Sequence, residues 1–267
     1  MTVKPKIGLA LGAGGARGFA HIGVLKVLLD HQIPIDFIAG SSIGSLVAVL
    51  YANDLDLKML EKLAVHLKRK HWLDLTVPKM GFVQGEKIKE LIRLLTHGKH
   101  IEDLSIPISV VATDLENGER VIFDKGSIER AVRASISIPG IFVPERVDGR
   151  LLVDGGVIDR VPITVAKDMG ADLVIAVDVG PSEAKMGIES IFDVISRTID
   201  IMGMEIFRTH ILNADFLIRP EVGSYSSTDF NHIQEIISLG EVAALETVES
   251  IKERIDQWKG EKHEGRT

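Results

Sequence analysis

The sequence predicts an α/β fold with three layers, α/β/α, in which helices cover both faces of a mostly parallel central sheet. Short apolar runs rich in β-branched residues alternate with longer segments of helical periodicity, as in strand–helix–strand units. Of the 267 residues, 45% are hydrophobic and 26% are charged, a composition typical of a globular protein. Since no repeat or low-complexity linker divides the chain, we expect a single domain over residues 1–259 and a flexible tail over 260–267.

The predicted elements follow this alternation along the chain. The strands are Ile7–Leu11, Phe37–Ala39, Ile106–Ala112, Leu151–Val153, Leu173–Val177 and Phe216–Ile218. The helices are Ala16–His31, Ile43–Asn53, Asp56–Lys70, Glu86–Thr96, Ser127–Ala134, Ile163–Met169, Ile188–His210 and His232–Trp258. Arg120–Phe123 follows a turn-like Glu-Asn-Gly sequence, so we expect it to pair back on Ile106–Ala112 as a hairpin and to make the sheet mixed.

Composition excludes several classes of function. With 31 Lys and Arg against 38 Asp and Glu, the net charge is −7, which disfavours broad binding of nucleic acid. The absence of cysteine excludes disulfides, thiolate metal sites and cysteine nucleophiles. No run reaches the roughly 20 apolar residues that span a bilayer, and the glycine-rich Ile7–Ala13 is a poor signal peptide. We therefore expect a cytoplasmic protein without metal or cofactor, whose only membrane contact is peripheral.

Three glycine-containing motifs directly follow predicted strands. They are Gly12-Ala13-Gly14-Gly15-Ala16-Arg17-Gly18 after the first strand, Gly40-Ser41-Ser42-Ile43-Gly44 after the second, and Asp154-Gly155-Gly156 after Leu151–Val153. If these three strands are parallel, their carboxyl ends meet at one edge of the sheet, where α/β proteins place their functional sites. We therefore expect the three motifs to form one site.

The segment from Gly40 to Gly44 has the G-x-S-x-G pattern of a nucleophile elbow between a strand and a helix. Glycines make room for a tight turn that exposes the Ser42 hydroxyl, and the amide of Ile43 at the helix start can face a developing oxyanion. The alternative is that Ser41 or Ser42 only caps the helix.

The glycine loop has two interpretations. Nucleotide binding fits poorly, because Arg17-Gly18-Phe19 replaces the Gly-Lys-Ser/Thr of a Walker loop and Arg17 occupies the third glycine position of a dinucleotide fingerprint. The other use of free backbone amides near a serine nucleophile is an oxyanion hole. Gly14 and Gly15 are then the expected donors, with Ile43 as a third.

Asp154 is the candidate base for Ser42. A triad in the order Ser, Asp, His would require His210, His232 or His263, and none of these follows a strand as a catalytic histidine should. Asp154 lies at a strand end, and partial desolvation would make its carboxylate a stronger base. The alternative is that the Asp-Gly pair only forms a turn. If the base is Asp154, we expect no histidine-like titration of activity.

The three motifs in this order resemble those of bacterial patatin-like phospholipases. Ala134–Pro144 and Asp229–Gly240 resemble further stretches of that family, so the resemblance spans about residues 7–245. It implies a Ser–Asp pair without histidine, with Ser42 as nucleophile and Asp154 as base. It also implies an oxyanion hole at Gly14 and Gly15, an Arg17 that braces the loop, and calcium-independent hydrolysis of lipid acyl esters.

A basic, cap-like helical excursion at about residues 54–100 interrupts this pattern. Lys58–His100 contains ten Lys or Arg and four Asp or Glu, and Lys68-Arg69-Lys70 lies close to Trp72. One interpretation is a solvated helical surface, and the other is a contact with an anionic membrane. The predicted helix that begins at Ile188 carries an apolar stripe. We interpret this stripe as a core or subunit contact rather than an acyl-chain groove. Its members are Ile191, Phe192, Ile195, Ile199, Met202 and Ile206.

Together these features predict a serine hydrolase that cleaves phospholipid or lysophospholipid esters. The alternative is a lipid- or protein-binding regulator that keeps the same fold with little catalysis. Homo-oligomerisation is left open by the sequence.

Overall fold

A computed structural model describes residues 4–67, 69–181, 188 and 190–258 of the protein. Its strands are β1 (Ile7–Leu11), β2 (Phe37–Ser41), β3 (Gly81–Val83), β4 (Ile108–Asp114), β5 (Glu119–Phe123), β6 (Gly140–Phe142), β7 (Glu145–Val147), β8 (Arg150–Asp154), β9 (Leu173–Val177) and β10 (Phe216–Ile218). Its α-helices are α1 (Ala20–Asp30), α2 (Ile43–Ala52), α3 (Leu57–His66), α4 (Glu86–Leu95), α5 (Ile128–Ser135), α6 (Ile163–Asp168), α7 (Ile191–His210) and α8 (Ile233–Asp256). The predicted tail and Lys68 lie outside the described residues.

The main sheet has eight strands in the order β10-β9-β1-β2-β4-β8-β7, with β5 on the other side of β4. The five strands from β10 to β4 are parallel, whereas β5, β8 and β7 add antiparallel pairs. Strands such as β1 are apolar and buried along their whole length, as expected where helices cover both faces. The mixed sheet and the β4–β5 hairpin are confirmed.

The two faces of the sheet carry different side chains. Leu9 and Ile38 belong to the large apolar cluster that α1 and α8 cover, whereas Ala10 and Ala39 belong to a smaller cluster with Val165 of α6. Because neighbouring residues of a strand point to opposite faces, large residues line one face and small ones the other. The predicted three-layer arrangement is confirmed.

Strand β8 does not run parallel to its neighbour, which corrects the expectation for the third motif. It pairs antiparallel with β4, on the same side of β4 as β2, because β5 occupies the opposite side. The carboxyl ends of β2 and β8 therefore approach each other head-on along β4. The second and third motifs meet as predicted, but through opposed strands rather than a shared parallel edge.

Several boundaries differ from the sequence prediction. A 3-10 helix over Gly15–Phe19 precedes α1, and α3 ends at His66 rather than continuing to Lys70. The short strands β3, β6 and β7 were not predicted, because runs of three residues carry too little periodicity to be recognised.

The basic helical segment at about residues 54–100 packs against the core of the domain and does not project from it. The α3 residues Leu57 and Leu60 are buried in the large cluster. The Trp72 ring packs against Phe142, with ring centroids 6.5 Å apart, and against Phe230 at 5.2 Å. Trp72 is therefore partly buried by aromatic packing, and its contact with an anionic membrane stays a prediction.

The interpretation of the apolar stripe as core is confirmed in part, and a subunit contact stays a prediction. Helix α7 packs against the large apolar cluster through Phe192 and Ile195, while other members of the stripe are exposed. Its buried residues are Asp200, Gly203 and Phe207, which lie three and four residues apart on one side. Ile191 and Met202 of the predicted apolar stripe are more than half exposed. The sequence pattern identifies the stripe correctly but cannot show which side of the helix contacts the protein.

Candidate active site

Ser42 lies at the sharp turn between β2 and α2. Its backbone has φ 53° and ψ −125°, a strained region that residues with a side chain rarely adopt. The amide of Ser42 donates to Ser135 Oγ at 2.8 Å, and the Ser135 hydroxyl in turn donates to the Val111 carbonyl at 2.6 Å. These bonds hold the turn in place from β4 and α5.

The glycines on either side of Ser42 are required by close backbone contacts. A Cβ atom on Gly44 would lie 2.2 Å from the carbonyl oxygen of Leu11, and one on Gly40 would lie 2.6 Å from the Cα of Ser45. Only glycine permits α2 to begin this close to β1. The turn therefore has the geometry that the sequence pattern predicts for a nucleophile elbow.

The Ser42 hydroxyl donates a hydrogen bond directly to Asp154. The distance from Oγ to Oδ2 is 2.5 Å, while Oδ1 of the same carboxylate accepts from the Gly156 amide at 2.7 Å. Burial raises the pKa of Asp154 to about 6, although the hydrogen bonds from Ser42 and Gly156 oppose this shift. A carboxylate with this pKa is mostly ionised at neutral pH and is a stronger base than an exposed aspartate.

The glycine loop contacts both of the other motifs. A Cβ on Gly18 would lie 2.1 Å from an Ile43 methyl group, and one on Gly156 would lie 2.7 Å from the Cβ of Ala13. The Gly12 and Ala13 amides donate to the carbonyls of Val177 and Arg160. Within the described part of the chain, the amides of Gly14 and Gly15 donate to no acceptor. The Ile43 amide, at the first position of α2, has no acceptor within its own helix.

A buried charge network fixes the glycine loop to α7. Asp200 accepts from Arg17 at 2.7 Å and from Arg160 at 2.8 Å, and Arg160 Nε lies 3.6 Å from Asp178. Burial alone would raise the pKa of Asp200, but the two guanidinium groups hold it below its ordinary value. Asp200 thus joins the loop that contains Gly14 and Gly15 to the segment that follows Asp154.

The histidines that the structure describes occupy structural or surface positions. His21 is buried, and its Nε2 donates to the Gly12 carbonyl at 2.8 Å. Burial lowers the pKa of His21 to about 4, so it is neutral at physiological pH. His232 is exposed and contacts Asp229. The His210 side chain and His263 lie outside the described residues.

A comparison of the sequence with family models gives a match described as patatin-like phospholipase over residues 9–167, more than half of the chain. The chain belongs to the patatin-like phospholipase family. The three motifs that form the site lie within the matched residues.

Relatives in this family include bacterial and mammalian proteins. An uncharacterized NTE family protein of Mycobacterium tuberculosis (strain ATCC 25618 / H37Rv) is 41% identical over 193 residues, which cover 68% of this chain and 51% of that protein. Patatin-like phospholipase domain-containing protein 7 of Rattus norvegicus is 31% identical over 274 residues, covering 88% of this chain and 20% of that protein. The chain thus spans about half the length of the first relative and a fifth of the second.

Two solved structures have a similar fold. VipD from Legionella pneumophila gives a TM-score of 0.69 at 14% identity, covering 92% of this chain and 67% of that chain. The type III effector protein ExoU gives a TM-score of 0.53 at 14% identity, covering 94% of this chain and 54% of that chain. These similarities support the three-layer fold of this patatin-like protein.

Three residues of the site were not identified from the sequence. Ser135, Asp200 and Arg160 contact the motifs from outside them. The one available signal was Asp200, a charged residue between Ile199 and Ile201 in an otherwise apolar stretch.

Within the described residues, no helix has both the length and the apolar character to cross a membrane.

Proposed function

We propose that this patatin-like protein is a serine acyl hydrolase that cleaves carboxylic esters of phospholipids or lysophospholipids. Ser42 is the nucleophile, Asp154 is the base, and the amides of Gly14, Gly15 and Ile43 form the oxyanion hole. The observation that carries this proposal is the direct hydrogen bond from Ser42 Oγ to Asp154 Oδ2.

The first half of the reaction transfers the acyl group to the enzyme. Asp154 takes the Ser42 hydroxyl proton as Oγ attacks the ester carbonyl carbon. The negative charge that forms on the carbonyl oxygen is stabilised by the free amides of Gly14 and Gly15. When the tetrahedral intermediate breaks down, the alcohol product leaves with the proton from Asp154, and an acyl-Ser42 ester remains.

The second half returns the enzyme to its starting state. Asp154 takes a proton from a water molecule, whose oxygen attacks the acyl-Ser42 carbonyl at the same oxyanion hole. The C–O bond to Ser42 then breaks, Oγ recovers its proton from Asp154, and the fatty acid is released. A single carboxylate therefore performs both proton transfers, and its raised pKa suits this role near neutral pH.

Labelling with a fluorophosphonate, followed by peptide mapping, tests the nucleophile. We expect one adduct per chain on Ser42, no adduct on Ser42→Ala, and wild-type labelling of Ser238→Ala, which changes an exposed serine of α8. If the folded wild-type protein gives no adduct, the site is closed or inactive. The alternative, a lipid- or protein-binding regulator, then becomes the better explanation. Hydrolysis of a lysophospholipid by Ser42→Ala would also refute the assignment.

A further inference from the structure

Helix α7 contacts the protein through a side that carries Asp200, Gly203 and Phe207. Asp200 binds two buried arginines, and Gly203 lies so close that a Cβ there would be 3.3 Å from the Gly156 carbonyl. The outward side consequently carries apolar residues, which are Ile191, Val194, Ile201, Met202 and Ile206. A surface helix usually turns its apolar residues toward the core, as Phe207 is turned here, so the exposure of these others on α7 is unusual. The outward charges Glu205 and Arg208 pair with each other.

A second exposed apolar element lies beside α7. Asp74–Gln84 forms a hairpin in which Leu75 pairs with Val83, and its tip exposes Val77 and Met80. The Phe82 ring meets the Phe192 ring of α7 edge-to-face, with centroids 5.5 Å apart. The hairpin and α7 therefore adjoin at this contact, and we call their exposed apolar residues together the apolar face. It is defined by Leu75, Val77, Met80, Ile191, Val194 and Met202.

Two lysines lie on or next to the hairpin. Lys70 and Lys79 are exposed, and within the described residues neither forms an ion pair. The nearby carboxylate of Asp74 is used locally, since it accepts from the amides of Gly85, Glu86 and Lys87. A basic, apolar surface on a chain of net charge −7 complements an anionic lipid surface.

We propose that the apolar face docks on a phospholipid bilayer that contains anionic lipids. Exposed aliphatic side chains of this kind enter the boundary between headgroups and acyl chains, while Lys70 and Lys79 contact the headgroups. The benefit for catalysis rests on the proposed function: α7 lies against Gly156, two residues from Asp154, so docking places the bilayer on the outer side of a helix that borders the site. The binding itself does not depend on hydrolysis.

Flotation with vesicles tests the docking in a Ser42→Ala background, so that lipid turnover plays no part. The vesicles contain phosphatidylcholine and phosphatidylglycerol in equal parts, or phosphatidylcholine alone. Val194→Asp on α7 is compared with Val242→Asp on α8, because the two valines are 51% and 53% exposed on helices. We expect Val194→Asp to lower vesicle affinity about tenfold or more, and Val242→Asp to leave it unchanged. Thermal unfolding of both variants checks that each remains folded.

The basic residues supply a second, independent readout. Lys79→Gln should weaken binding to the anionic vesicles roughly fivefold, whereas Lys125→Gln, an exposed lysine beyond β5, should not. Equal binding of Val194→Asp and Val242→Asp would overturn the proposal. So would a dimer that Val194→Asp dissociates without any change in vesicle binding, because a second copy of the chain would then cover the apolar face. Vesicle binding by a protein that proves to lack esterase activity would refute the proposed function alone.

Discussion

Ser41 and Asp154 pair with consecutive residues of β4, Val111 and Ala112. One strand therefore sets the positions of both the turn at Ser42 and the candidate base, although they are more than a hundred residues apart in sequence. Because β2 and β8 reach β4 from opposite directions, neither can shift along it without displacing the other. The short distance from Ser42 Oγ to Asp154 is thus a consequence of sheet register.

The pH dependence of kcat/KM is expected to follow the ionisation of Asp154. Burial raises its pKa to about 6, so activity should rise as the pH passes through about 6 and level off above it. A steady-state profile with a soluble ester measures this directly.

A rise in activity near pH 6 would resemble the titration of a histidine, so a pH profile alone does not separate Asp154 from a histidine base. Substitution rather than pH separates the two cases. His232→Gln should leave the profile in place, because His232 is exposed and paired with Asp229. If the folded His232→Gln variant no longer shows the rise in kcat/KM near pH 6, the titration belongs to the histidine.

The raised pKa of Asp154 also makes stability depend on pH. The protonated carboxyl stabilises the folded state fully below the unfolded pKa of about 4, and this contribution is lost as the pH rises through about 6. Asp154→Asn should therefore be more stable than wild type at pH 8, by up to about 3 kcal/mol, and by roughly half as much at pH 5. Urea unfolding at the two pH values measures the difference. If Asp154→Asn differs from wild type by the same unfolding free energy at pH 8 and at pH 5, the raised pKa of Asp154 is contradicted.

Asp200→Asn tests the buried charge network. It leaves Arg17 with only a neutral partner in a buried setting, while Arg160 keeps Asp178, so we expect a loss of about 3–5 kcal/mol in unfolding free energy. Glu205→Gln on the same helix, which breaks an exposed pair with Arg208, should cost less than about 1 kcal/mol. If the two variants unfold at the same denaturant concentration, the network does not stabilise the fold.

Ser135→Ala should affect catalysis beyond its effect on stability. The change removes the acceptor for the Ser42 amide and the donor to Val111, at a cost of about 1–3 kcal/mol. We expect kcat to fall with little change in KM, because the nucleophile turn loses a support. Ser105→Ala, which removes a hydrogen bond to Ala52 away from the site, is the control that should retain kcat. An equal fall in both variants would show that the loss is only one of stability.

The predictable features of the fold are those with a local cause. Apolar runs predicted β1, β9 and most other strands of the sheet, because a strand covered on both faces must be apolar along its length. The motif from Gly40 to Gly44 predicted the turn at Ser42, since the contacts that require glycine lie at the turn itself. The role of Asp154 as base stays a prediction, although the structure places its carboxylate beside Ser42.

The features that were missed depend on contacts between distant parts of the chain. The direction of β8 is set by its pairing with β4, which the run Leu151–Val153 does not encode. The orientation of α7 is set by Asp200, whose partners lie on two other segments. Periodicity reveals an apolar stripe on a helix, but the protein that packs around the helix decides whether that stripe is buried.

The sequence by itself determined the three-layer class, the three motifs and the residue types needed for acyl transfer, because spacing and glycine requirements act over a few residues. Only the tertiary structure decided that β2 and β8 meet head-on, that Asp200 joins two arginines, and that several apolar residues of α7 are exposed. Each of these depends on register or on burial of charge, and both are properties of the assembled chain rather than of any segment. The physical reason is that a buried charge must find its counter-charge wherever the fold places it.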